Sequence, residues 1–396
     1  MSRRRFLASA AGAAGAGALA SLAGPLAAAA PAAAPAGGVP TYLKDYAGLY
    51  ATDPHAAALA WFRNAKFGLF IHYGLYSLCG GEWKGKPVSK RGGGEVAEWI
   101  QFHGLIPVAE YARLKDRFTA EKFDADVVTD LALAAEMKYV NLTTRHHDSF
   151  CLFRTKETDF NSVTGPAQRD LVGELADACR RKGLALFLYY SHGRDWRHPH
   201  CPPPSRPKYP NPQPEYVADD QVDLDRYLGF MTAQVTELLT QYGPVAGIWL
   251  DGLGIINGYG KRLGGIEKAI DLFKVHDLYA HIRRLQPNCL IAYKNGLTGT
   301  EDFNTPERQS FGLEKTGKPL EINTTIQAHS WGYNKVSTAR KSLDELWETL
   351  ATARKVGANL LLNTGPMGDG SIVPEEAERL RAMGKRIRDQ GWPGAA

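Results

Sequence analysis

The chain has 396 residues, 44% of them hydrophobic and 22% charged, an ordinary globular make-up that excludes a disordered or fibrous protein and leaves room for one large domain or two smaller ones. Its formal charge of +5 is spread among acids rather than gathered in blocks, so neither a nucleic-acid footprint nor a basic membrane-binding surface is expected. The five cysteines, Cys79, Cys151, Cys179, Cys201 and Cys289, form no CxxC pair and are odd in number, so they specify neither a disulfide framework nor a zinc site.

Residues 1–37 stand apart. Ser2-Arg3-Arg4-Arg5-Phe6-Leu7 leads into a long Ala/Gly/Leu run broken by Pro25, Pro31 and Pro35. This reads as a twin-arginine export signal that is cleaved, placing the mature protein in the periplasm or outside the cell without stable membrane insertion. Loss of its three arginines takes the formal charge from +5 to +2. Residues 38–396 then form one catalytic domain. A helix is expected over Ala56–Ala65, followed by a strand, Lys66–Gly74, that ends in His72. Next comes a glycine-rich loop, Gly80–Gly94, carrying Glu82-Trp83, and Glu98-Trp99 opens the following ordered piece. A helix over Phe123–Met137 and a strand over Tyr139–Thr144 lead into Arg145-His146-His147-Asp148. The alternation goes on with a helix at Asp170–Gly183, a strand at Leu184–Ser191, a helix at Leu224–Tyr242 and an apolar strand, Val245–Gly252, ending in Asp251-Gly252. Helices at His276–Leu285, Ser342–Val356 and Pro374–Asp389 and strands at Cys289–Asn295, Leu320–Ile326 and Asn359–Asn363 complete it.

This cadence predicts an α/β fold with a parallel sheet. Seven strands are countable, and an eighth is expected in the irregular stretch Gly254–Ile266 or Gln309–Pro319. A doubly wound open sheet is the alternative, but no glycine-rich phosphate loop follows the first strand. Polar tips on nearly every strand (His72, His146, Tyr190, Asp251, Asn295, Asn323, Asn363) favour a (β/α)8-like, TIM-type barrel with one mouth, where strand C-termini carry the chemistry.

Asp251 is the one ionisable group on its strand. A glycosidic bond is cleaved by two carboxyl groups flanking it, and Glu301, Asp302, Glu307 and Glu321 are all candidates for the second. Trp83, Trp99, Trp196, Trp249 and Trp331 offer flat faces to a sugar, while His72, His146 and His147 offer hydrogen bonds to hydroxyls. Two other functions are weighed against a glycosidase. A metal-dependent hydrolase could use His72, His146, His147 and Asp251, but there is no HxH on the first strand and no HExxH, and adjacent histidines on a strand point to opposite faces. A sugar-binding relative could keep the pocket without turnover. No cofactor or metal is expected.

Several motifs in order carry a resemblance: Phe67-Gly-Leu-Phe-Ile-His72-Tyr-Gly74, Gly81-Glu-Trp-Lys84, Glu98-Trp-Ile100, Arg145-His-His-Asp148, Tyr189-Tyr-Ser191 with Asp195-Trp196, Trp249-Leu-Asp-Gly252, Asp302-Phe-Asn-Thr-Pro-Glu307, Ser330-Trp-Gly-Tyr333 and Asn359-Leu-Leu-Leu-Asn-Thr-Gly365. Over about Trp61–Ile387 the chain resembles the α-L-fucosidases of glycoside hydrolase family 29. The resemblance implies a retaining exo-α-L-fucosidase acting on fucosylated glycans, with Asp251 as nucleophile and Glu307 of the Thr-Pro-Glu loop as acid/base. It further implies His72, Glu98, Trp99, His146, His147, Tyr190, Trp249 and Trp331 as substrate-binding residues. Two departures are visible: Ser149 stands where the family usually has glycine after His-His-Asp, and no C-terminal β-sandwich is evident. The Gly-Glu-Trp-Lys and Glu-Trp-Ile signatures look like the subgroup selective for α-1,3/1,4-linked fucose.

Overall fold

Seven strands pair side by side in one parallel sheet: β1 (Phe67–Ile71), β2 (Tyr139–Arg145), β3 (Ala185–Ser191), β4 (Gly247–Asp251), β5 (Leu290–Tyr293), β6 (Leu320–Thr325) and β7 (Ala358–Thr364). Their spatial order is β5-β4-β3-β2-β1-β7-β6. This computed structural model describes residues 38–90, 96–307 and 317–394, which belong to one compact unit spanning 34–396. The expected export signal with Arg4 and Arg5, and most of the stretch 309–319, lie outside the described residues. No described helix is long and apolar enough to cross a membrane.

Most of the strands form where expected because they are short apolar runs buried on both faces, while β2 and β6 mix apolar with buried polar residues. Alternation divides their side chains between two cores. Leu69, Ile71, Leu188, Tyr190, Ile248 and Leu250 face outward under the helices. Phe70, Tyr139, Phe187, Tyr189, Trp249 and Leu361 face inward, over a floor made by Trp61 and Phe62. Helix α1 (Pro54–Arg63) supplies that floor and starts where Asp53 accepts the Ala56 N–H at 2.9 Å. Gly68 makes room for the inner packing, since a Cβ there would lie 2.3 Å from the Tyr139 ring.

Four more of the expected helices start where side-chain chemistry says they should. Asp124, Asp170 and Asp223 cap Ala125–Ala134, Leu171–Lys182 and Leu224–Gln241, and a Ser342/Glu345 capping box starts Leu343–Lys355. One expectation is overturned: Gly254–Ile266 is not an irregular stretch hiding a strand. It folds as the helix Leu253–Leu263 and the start of a second, Ile266–Leu272. Gly254, Gly258 and Gly260 lower its helical propensity and mask its period.

The sheet edges β5 and β6 are linked through residues 304–307. Isolated parallel bridges join Lys294 to Thr305, Asn304 to Leu320 and Glu307 to Asn323. Backbone N–H groups of Asn295 and Glu321 donate to the carbonyls of Thr305 (3.2 Å) and Asn304 (2.8 Å). The segment expected to bear the second carboxylate therefore runs between two strands and continues neither.

Candidate active site

The strand C-termini open into a cavity of about 400 Å³ lined by both inner-face and loop residues, within the size range of small-molecule sites. Asp251 ends β4 inside it. Its backbone carbonyl accepts from the N–H groups of His192 (2.9 Å) and Gly193 (3.1 Å), so the nucleophile candidate is anchored to the end of β3. Gly252 follows at φ 107°, pressed so close that a Cβ would lie 2.6 Å from Gly193 N; only glycine fits this turn. The carboxylate accepts from Gly252 N–H (Oδ1, 2.6 Å) and from the Tyr189 hydroxyl (Oδ2, 2.9 Å). Burial pushes its pKa up, but Lys294, the Gly252 N–H and Tyr189 outweigh this and hold Asp251 below the usual carboxylate range.

Glu307 faces Asp251 from the 304–307 segment. Its Oε1 accepts from Trp331 Nε1 at 3.1 Å, and its Oε2 lies 2.7 Å from Lys294 Nζ. The same ammonium is 3.8 Å from Asp251 Oδ1. The two carboxylate oxygens flanking Lys294 are therefore separated by no more than the sum of those distances, 6.5 Å. Retaining glycosidases hold their carboxyls about 5–5.5 Å apart and inverting ones about 6.5–9.5 Å apart. That bound, between one oxygen of each group, sits at the short edge of the inverting range.

Geometry separates the rival carboxylates, none of which lines the cavity. Glu301 is consumed by its own turn, its Oε1 accepting from Tyr279 Oη and from the N–H groups of Leu297 and Thr298. Asp302 bonds His55 (2.8 Å) and the Ile291 N–H (2.7 Å). Glu321 is fully buried and its pKa is raised to about 7 by that burial, a value that would suit a general acid. It nonetheless accepts from Trp249 Nε1 (3.1 Å), Thr305 Oγ1 (3.1 Å) and Tyr139 Oη (2.7 Å). Position comes before pKa in assigning an acid, and Glu321 is a brace between the strand of Asp251 and the segment of Glu307.

Of the residues expected to bind substrate, His72, Glu98, Trp99, His146, His147, Trp249 and Trp331 line the cavity. His72 is oriented by Asn363 (2.6 Å) and His147 by Ser191 Oγ (2.6 Å). His146 Nδ1 is buried with no hydrogen-bond partner among the described residues, while the ring itself lines the cavity. Burial, reinforced by neighbouring imidazoles and cations, pushes the pKa values of His146 and His147 well down, so both are neutral. Glu98 accepts three bonds on Oε2, from Ser330 Oγ and from the N–H groups of Trp331 and Gly332 (3.0 Å each), and thereby fixes the Trp331 loop.

Three expectations need correction. Tyr190 does not reach the cavity: alternation turns it to the outer face, where its hydroxyl donates to Gln234 Oε1 at 2.7 Å, and Tyr189 takes the inner position. Trp83 and Trp196 are absent from the lining; Trp196 is wholly buried behind Trp99 and His147. Nor do His146 and His147 alternate, because β2 stops at Arg145; both face the cavity, with ring centroids 4.2 Å apart. Among the described residues no group of three or more His, Cys, Asp and Glu side chains could hold a metal ion. Sequence reasoning missed Lys294, Tyr189, Phe70 and, at the rim, Lys90, Val96, His103 and His329. The inner-face period would have found Tyr189, which pairs in register with Trp249.

Two carboxylates across one cation, in a pocket of neutral imidazoles and indoles at the ends of parallel strands, define a glycoside hydrolase. The α-L-fucosidase family model matches residues 45–391. The tissue α-L-fucosidase of Homo sapiens is 31% identical over 358 residues, covering 84% of this chain and 68% of that protein. The solved structure of the α-L-fucosidase AlfC from Lactobacillus casei with α-L-fucose product superposes with a TM-score of 0.71 at 30% identity, covering 84% of this chain and 98% of that one. α-L-Fucosidase isoenzyme 1 from Paenibacillus thiaminolyticus gives 0.69 at 30% identity, covering 85% and 77%. The chain belongs to the α-L-fucosidase family, glycoside hydrolase family 29.

Proposed function

We propose that this chain is a retaining exo-α-L-fucosidase in which Asp251 is the nucleophile and Glu307 the acid/base. The observation that carries the reading is the placement of these two carboxylates on either side of Lys294 within one sugar-sized cavity. Asp251 attacks the anomeric carbon while protonated Glu307 gives its proton to the departing glycosidic oxygen, leaving a fucosyl ester and a free alcohol. Glu307, now ionised, takes a proton from water as the water displaces Asp251, which restores both groups and releases fucose. His72, His146, His147 and Trp99 meet the sugar hydroxyls, and Trp249, Trp331 and Phe70 supply apolar faces. The scaffold is read as a (β/α)8-like barrel with residues 304–307 in the place of an eighth strand, a reading supported by their bridges to both sheet edges.

A 2-fluoro-fucosyl fluoride is expected to label the peptide around Asp251, and label on another acid would overturn the assignment. Glu307→Ala should cripple hydrolysis of a natural linkage while sparing an aryl fucoside, with azide restoring turnover and giving β-fucosyl azide. The same profile in Glu301→Ala or Glu321→Ala instead would move the role. The expected preference for α-1,3/1,4 linkages rests on residues 81–84 and 98–100, of which only Glu98 and Trp99 line the cavity. One structure of the L. casei enzyme holds Fucα(1,6)GlcNAc, so a panel of α-1,3, α-1,4 and α-1,6 disaccharides is the measurement that decides. Export by residues 1–37 to the periplasm or medium is supported by Arg4 and Arg5 ahead of the Ala/Gly run. Lysine at both positions should trap a fused reporter in the cytoplasm, and unaffected export would refute it.

A further inference from the structure

We propose that Lys294 is a positioning residue shared by both half-reactions: seated between Asp251 and Glu307, its ammonium transfers its pairing from one carboxylate to the other as negative charge crosses the site. This rests on the roles assigned above to those two acids. Before the first step Asp251 is ionised and Glu307 protonated; afterwards Asp251 is a neutral ester and Glu307 is ionised, its proton having left on the alcohol. In both states one anion faces one cation. The charge moves from one side of Lys294 to the other while the sum over these three groups stays unchanged, so in each state the ionised carboxylate has the ammonium beside it.

The geometry suits this. Nζ lies 2.7 Å from Glu307 Oε2 and 3.8 Å from Asp251 Oδ1, so a small swing changes the favoured partner. The backbone cannot drift: the Lys294 N–H donates to Leu250 O at 2.9 Å, and the residue bridges to Thr305 on the other side. Its base is thus tied to both the strand ahead of the nucleophile and the segment ahead of the acid. Asn295, next in the chain, receives the Glu307 N–H on Oδ1 at 3.2 Å. Other described groups face the trio. From β3 the Tyr189 hydroxyl donates to Asp251. After β2, His147 Nε2 stands 3.7 Å from Asp251 Oδ2, and it and His146 are neutral. From the Trp331 loop an indole N–H donates to Glu307, while Glu98 is already engaged by three donors. Arg194 acts on Asp251 and His147 as a more distant positive charge. His72 also lines the cavity, with His103, His329 and Lys90 towards its rim. Burial opposes the Lys294 ammonium, yet Asp251 and Glu307 together hold its pKa above the ordinary value, so it stays charged throughout the working range.

The test is the pH dependence of kcat/KM on an aryl fucoside for wild type, Lys294→Gln, Lys294→Met and Lys294→Arg, each checked for folding by thermal melting. Activity rises as Asp251 ionises. Burial raises the Asp251 pKa and Lys294 is the foremost group lowering it, so the Gln and Met variants should carry the acidic limb of the profile to higher pH by roughly 1–2 units, and Arg should keep the wild-type limb. A Gln or Met variant that folds and loses activity equally at every pH, with that limb unmoved, would overturn the proposal, as would an Arg variant that behaves like Gln. If only one of the neutral variants folds, its acidic limb decides. Failure of the underlying assignment looks different, since Asp251→Gly would then retain turnover.

Discussion

Replacing Glu321 by Gln should make stability less dependent on pH, and the size of the effect follows from its surroundings. The carboxyl is completely buried, and burial lifts its pKa from the ordinary 4.5 to about 7 against the lowering effect of bonds from Tyr139, Trp249 and Thr305. An acid whose folded pKa is raised binds more protons folded than unfolded between those values. Its contribution is fully present below about pH 4.5, is lost as pH rises towards 7 and stays lost above it. At about 1.4 kcal/mol per pKa unit the loss is about 3 kcal/mol. Gln keeps an oxygen for Trp249 Nε1 and Thr305 Oγ1 and cannot ionise. Urea denaturation followed by tryptophan fluorescence at pH 4.5 and pH 8 should show the variant gaining about 3 kcal/mol on wild type over that interval. Parallel stability profiles would refute both the buried ionisation and the reading of Glu321 as a brace.

Four other outcomes are expected. Tyr189→Phe removes a donor from Asp251 and should raise the acidic limb of the kcat/KM profile by up to about one pH unit, whereas Tyr190→Phe should leave that profile in place and lower only the melting temperature. Ser149 sits at φ 71° with its hydroxyl donating to Asp195 Oδ2 at 2.9 Å. Ser149→Ala, which keeps the strained backbone and loses the bond, should therefore cost about 2 kcal/mol in chemical denaturation, and Ser149→Gly should cost less because it relaxes the backbone. Gly252→Ala should abolish turnover through the clash with Gly193, seen as kcat loss in a protein that still melts cooperatively. His146→Phe should raise KM for the aryl fucoside at least tenfold because its ring lines the cavity, and an unchanged KM would remove it from the binding set.

The strands were legible because buried runs such as Gly247–Asp251 carry one polar residue at the end that matters, and helix starts such as Asp170 and Ser342 announce themselves through side-chain caps. Orientation at strand ends was less legible. Tyr189 and Tyr190 are chemically alike, and only the two-residue period against Trp249 separates them. Lys294 escaped notice because a lysine after an apolar strand is usually a solvated tip, and its meaning lies in two carboxylates 43 and 13 positions away in number. Glu307 stood out as the proposed acid through its Thr-Pro-Glu setting, but setting aside Glu301 and Glu321 required seeing which hydrogen bonds already occupy them. Ser149 read as an awkward substitution for glycine; the structure pairs it with Asp195, itself joined to the buried Arg145.

The stretch from Asn304 to Glu307 touches its neighbours by single bridges and not by a ladder. A regular strand fixes its register through many repeated pairs, so one inserted residue turns every later side chain to the other face. A segment pinned at three points transmits no such error. Its flanks can therefore accept a change that the fully laddered strand of Asp251 cannot, provided Thr305 and Glu307 are kept. Chimaeras joined at the edges of 304–307 are predicted to fold more often than chimaeras cut within β4.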